Sequence, residues 1–95
     1  IVHVLDRPWA GAVGDVIAGH VDAARRFDHM QQHSGQHLLS AFLADAYGWP
    51  TVSVHFGDVM NTVDVAAADV PVDVIVDIEA RVNRLAAEDR AIRVS

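Results

Sequence analysis

Three histidines stand four residues apart in the run His29-Met30-Gln31-Gln32-His33-Ser34-Gly35-Gln36-His37. On an α-helix that interval is one turn, and it brings side chains to within about 6 Å of each other. At about 100° per residue, His29, His33, His37, Ser40 and Ala44 share one stripe. Leu38, Leu39, Phe42 and Leu43 cover the opposite side. Two imidazoles one turn apart can both direct a nitrogen at one divalent ion, which is why zinc sites favour paired histidines on helices. The same spacing also serves a solvated or hydrogen-bonded face. Zinc needs three or four protein ligands, and the chain has no cysteine. Either His29 or His55 completes the set, or the remaining ligands lie beyond Ser95. Gly35 costs about 1 kcal/mol inside a helix, so something is expected to approach closely there.

The elements that must position these residues read as follows. Ile1 to Leu5 is a short strand, broken at Asp6-Arg7-Pro8 because proline cannot donate to a ladder. Gly11 to Asp15 is a turn, and Val16 to Val21 alternates loosely, as a strand does. Asp28 is the expected N-cap of a helix reaching Tyr47, with Gly48 as its stop and Pro50 beyond. Thr51 to Phe56 and Thr62 to Val65 are β-branched runs separated by Gly57-Asp58, the pattern of a hairpin with a longer loop. Asp69 and Pro71 start a second helix, whose Ile75, Ile78, Val82 and Leu85 keep helical spacing to about Asp89. Ala91 to Val94 is a closing strand. The order predicts an α+β, two-layer arrangement of sheet and helix.

The bulk properties set limits on function. The 95 residues suit one small domain, and glycine and proline are too few for a collagen-like or disordered chain. Thirteen acidic residues face seven basic ones, all arginine, for a formal charge of −6. Gripping a phosphate backbone needs clustered positive charge, which this chain lacks, although a pocket that receives only the tip of a nucleic acid needs none. The apolar runs are far shorter than the roughly 20 residues of a membrane span, so no membrane association is expected. Without cysteine, disulfides are excluded. The start at Ile1 and the end inside an apparent strand read as a fragment.

The run from Arg25 through Phe27, Asp28, His33 and His37 to Ser40 resembles the start of the editing domain shared by alanyl-tRNA synthetases and free-standing AlaX proteins, with a relative in threonyl-tRNA synthetase. Gly14-Asp15 followed by Gly19-His20-Val21-Asp22 resembles the last hairpin of the small β-barrel that precedes that domain. Val52-Ser53-Val54-His55-Phe56-Gly57, then Thr62-Val63-Asp64, resembles the hairpin facing the editing pocket. Glu79-Ala80-Arg81-Val82-Asn83 and Asp89-Arg90-Ala91-Ile92-Arg93-Val94 resemble the helix and strand that follow. The resemblance implies a barrel end over residues 1–27 and the first part of an editing domain over 28–95.

The family holds zinc with this HxxxH pair and a later Cys-x3-His. Carried over, His33 and His37 are the metal ligands, and the second pair is absent from this sequence. The interior Ser-Gly-Gln departs from the Thr-Ala-Thr of many synthetases and looks closer to AlaX. The implied reaction is zinc-dependent hydrolysis of seryl- or glycyl-tRNA(Ala) at the acceptor end, in the cytoplasm and alongside the remaining domains of a parent chain. His55 and Gln36 are the catalytic candidates, for orienting water or substrate. The alternative is a catalytically inactive tRNA-binding or accessory module of the same fold. A third reading, an unrelated hydrolase using His29, His33 and His37 together, demands three ligands from successive turns of one helix.

Overall fold

A cap at each end fixes the long helix. The computed structural model describes residues 2–57, 59–91 and 93, with α1 (Ala23–Tyr47), β1 (Thr51–Phe56), β2 (Asn61–Val65) and α2 (Val72–Ala87) in chain order. Asp22, in extended backbone, accepts a hydrogen bond from the Arg25 N–H at 3.0 Å and is the N-cap of α1. The expected cap, Asp28, lies inside the helix instead and accepts from Gln32 Nε2 at 2.7 Å. The helix starts earlier because Ala23 and Ala24 are the best helix formers and Asp22 precedes them. Gly48 ends it as expected. At φ +66° its N–H reaches Ala44 O at 3.0 Å, and the Trp49 N–H reaches Leu43 O at 3.2 Å. The indole of Trp49 stacks on Tyr47, with ring centroids 4.7 Å apart.

β1 and β2 form an antiparallel hairpin, pairing Val54 with Val63, His55 with Thr62 and Phe56 with Asn61. The second strand begins one residue before the expected Thr62. A bulge between Thr51 and Ser53 shifts the side-chain alternation by one. Thr51 therefore joins Val54 and Phe56 on one face, while Val52 is 70% exposed. In the loop, the Gly57 N–H donates to Asn61 Oδ1 at 3.1 Å. A Cβ on Gly57 would sit 2.6 Å from Met60 O, so glycine is required by close approach.

α2 begins at Val72, with Pro71 as its N-cap, where the missing N–H costs nothing. Asp69 is not the cap; it adopts φ +37° in the preceding turn. Ile75 N–H closes the first turn on Pro71 O at 3.2 Å. The helix ends at Ala87, two residues short of Asp89, although Asp73 in its first turn and Arg84 in its last suit the helix dipole.

The helices are joined near the C-terminus of α1. Tyr47 Oη donates to Asp77 Oδ2 at 3.3 Å, and the Arg81 guanidinium lies 4.8 Å from the centre of the Phe42 ring. Between these contacts sit the two buried side chains among the described residues, Leu43 and Ile78. Each contributes about 1.5–3 kcal/mol by leaving water.

Residues 2–22 form no helix or strand, which corrects the strands expected at Ile1–Leu5 and Val16–Val21. A strand persists only where a neighbour pairs with it. Among the described residues no strand pairs with them, and Val2, Val4 and Val16 are each at least 89% exposed. Ile1, Asp58, Ile92, Val94 and Ser95 lie outside the described residues; within the expected closing strand, Ala91 and Arg93 are not in a ladder. The Cα radius of gyration is 19.2 Å, against about 13 Å for a compact domain of 100 residues. Much apolar surface on this chain is thus unburied.

Candidate metal centre

His33 and His37 occupy successive turns of α1, where they are exposed and share one stripe. Their rings tilt together with centroids 4.6 Å apart. The two Nε2 atoms meet at 2.9 Å, so one ring donates and the other accepts. On a tetrahedral zinc, two imidazole nitrogens at about 2.0–2.1 Å from the ion sit roughly 3.3 Å apart. A separation of 2.9 Å is a few tenths of an ångström from that edge. The pair therefore has the donor type and spacing of half a zinc site. Among the described residues, no three His, Cys, Asp or Glu side chains are grouped to hold an ion. That finding removes the support for a His29–His33–His37 site.

The hairpin touches this stripe at a few points and leaves both imidazoles exposed. Phe56 meets His33 edge-on, with ring centroids 6.1 Å apart. Two hydrogen-bonded relays tie α1 to the hairpin on either side of the histidines. In the first, Asn61 Nδ2 donates to Gln32 Oε1, and Gln32 Nε2 donates to Asp28. In the second, Thr51 Oγ1 and Gln36 Nε2 both donate to Ser40 Oγ, each at 2.8 Å. Each glutamine immediately precedes one histidine, so the helix carries the two glutamines toward the hairpin and the two imidazoles beside them.

Gln36 is half-buried at this junction, next to the histidine pair. His55 is not brought to that pair. Phe56 turns toward His33, and strand alternation sends His55 to the other face of the hairpin, with Ser53, Thr62 and Asp64. On that face Ser53 Oγ donates to Asp64 Oδ2. Gln32, Ser40 and Thr51 were not read from the sequence as one polar cluster. The signal was present only as glutamines at the same helical interval as the histidines, since the bulge that turns Thr51 inward has no sequence mark.

Gly35 does not serve close approach. A Cβ there would meet nothing within 4 Å. The residue instead lines an apolar groove of about 630 Å³ between the helices, with Phe27, Met30, Ser34, Leu38 and Leu85. No helix among the described residues is long and apolar enough to cross a membrane.

Paired imidazoles on a helix beside an antiparallel hairpin make up an α+β arrangement. Comparison with known proteins places it. No protein-family model matches the chain. It is 40% identical over 70 residues to the alanyl-tRNA editing protein Aarsd1 of Bos taurus, a match covering 74% of this chain and 16% of that protein. It is 47% identical over 48 residues to the putative alanyl-tRNA editing protein alaX of Saccharomyces cerevisiae, covering 50% of this chain and 10% of that one. The same length matches an alanine–tRNA ligase of Ignicoccus hospitalis at 46% identity, covering 50% of this chain and 5% of the ligase. Over the part shared with them, this chain is homologous to an AlaX-like alanyl-tRNA editing domain. It spans about a sixth, or 16%, of the length of the bovine relative.

Proposed function

We propose that the protein containing this chain hydrolyses the ester of mischarged seryl- or glycyl-tRNA(Ala), and that α1 supplies the first half of its zinc site. The observation that carries this reading is the 2.9 Å meeting of His33 Nε2 and His37 Nε2 in a chain homologous to alanyl-tRNA editing proteins. His33 and His37 would hold the ion. A bound zinc supplies Lewis-acid polarisation of the ester carbonyl or of water. The remaining work falls to this chain's own side chains. Gln36 holds a donor group of the substrate or water next to the ion. The hairpin flanks the stripe, with Phe56 edge-on to His33. The acidic balance of the chain leaves grip on the rest of the tRNA to other domains of the parent.

A second reading rests on a specific observation: no third ligand joins the pair among the described residues. On that reading the chain is an accessory tRNA-binding module without chemistry. One comparison separates the two. The protein extended through its natural stop codon is assayed for zinc and for release of serine from Ser-tRNA(Ala), beside the 95-residue chain. The deacylase reading expects zinc and serine release from the extended protein, both lost in His33→Ala. An extended protein that binds tRNA but holds no zinc and leaves the ester intact supports the accessory module.

A further inference from the structure

The two glutamines that precede the histidines are used differently. The Gln32 amide is engaged at both ends, donating through Nε2 to Asp28 and accepting through Oε1 from Asn61. It is a strut. The Gln36 amide is engaged only through Nε2, which donates to Ser40 Oγ at 2.8 Å, and its carbonyl oxygen has no partner among the described residues. Ser40 Oγ in turn receives the Thr51 hydroxyl at 2.8 Å. Ser40 and Gln36 are both half-buried, so this polar junction is shielded from competing water.

We infer that Ser40 is a positioning residue for Gln36, anchored by Thr51 across the hairpin. The relay holds the Gln36 amide with its nitrogen turned toward Ser40 and leaves its carbonyl oxygen open as an acceptor. An amide held that way selects a ligand that donates there, the ammonium or hydroxyl group of an aminoacyl ester. A free glutamine would present either end, because rotation about its last bond exchanges donor for acceptor. The relay therefore restricts the Gln36 amide to one place beside the hairpin. The inference rests on the deacylase reading for its substrate, while the relay itself is a property of this chain.

The test uses Ser40→Ala, Thr51→Val and Thr51→Ser. The first places the best helix former in a helix and the second is nearly isosteric, so the fold is retained. Nitrogen-15 relaxation of the Gln36 side-chain amide is measured on the 95-residue chain without metal, with the backbone amide spectrum as the check on folding. The expected result is an ordered Gln36 amide in the parent chain and in Thr51→Ser. In Ser40→Ala and Thr51→Val it becomes as mobile as the amide of exposed Gln31. A Gln36 amide equally ordered in all four proteins overturns the inference, as does a Thr51→Ser chain as mobile as Thr51→Val. In the extended protein, Ser40→Ala and Thr51→Val are expected to lower kcat for Ser-tRNA(Ala) about tenfold, with KM and zinc content unchanged. An extended protein without hydrolysis defeats the deacylase reading alone, because the relaxation measurement still decides the relay.

Discussion

The Nε2 atoms of His33 and His37 point at each other across 2.9 Å on one face of α1. One turn of helix produces that convergence, and the hairpin preserves it by packing Phe56 against His33. The caps at Asp22 and Gly48 and the relays to Asn61 and Thr51 are what keep the turn in place.

A glycine inside α1 and the glycine that caps it respond oppositely to alanine. Gly35 has helical surroundings and open space for a Cβ, so Gly35→Ala is expected to stabilise the chain by about 0.5–1 kcal/mol. Gly48 is held at φ +66°, so Gly48→Ala costs about 1 kcal/mol. Thermal unfolding followed by circular dichroism reads both, and the midpoints should move in opposite directions.

The contact between the helices hangs on a very small core. Leu43→Ala removes one of the two side chains buried among the described residues and is expected to cost about 2–3 kcal/mol, the low end for such truncations because so few atoms surround it. Urea unfolding measures it. An effect within about 0.5 kcal/mol of zero would mean that α1 and α2 do not form a common core.

The hairpin loop tolerates no side chain at Gly57. Gly57→Ala drives a Cβ to 2.6 Å from Met60 O, so the expected cost is about 1–3 kcal/mol. Amide signals of Phe56 and Asn61 should shift, while those of α2 stay in place.

His29 stands apart from the pair. His29→Ala should leave zinc affinity within about twofold of the parent, whereas losing either His33 or His37 costs at least the 10–100-fold typical of removing an outer-shell partner. Metal titration monitored at the imidazole ring signals checks this.

The sequence made much of this arrangement legible. The leucine face of α1, its Gly48 stop and the β-branched runs of the hairpin carry strong local signals, because each reports a backbone preference or a burial period. The imidazole pair was legible for the same reason, since its partners lie on one helix. What stayed hidden depends on pairing in space. Val16–Val21 has strand composition yet no pairing strand among the described residues, and Asp28 resembles a cap although Asp22 takes that role. The bulge that exchanges Val52 for Thr51 on the inner face left no trace in composition. His55 was read from its type and its hairpin, but alternation turned it to the outer face.

The most direct measurement is zinc content together with serine release from Ser-tRNA(Ala), made on the protein extended through its stop codon and on its His33→Ala variant. The account predicts one zinc and ester hydrolysis in the parent, with both lost in the variant. An extended protein that carries no zinc and leaves the ester intact contradicts it.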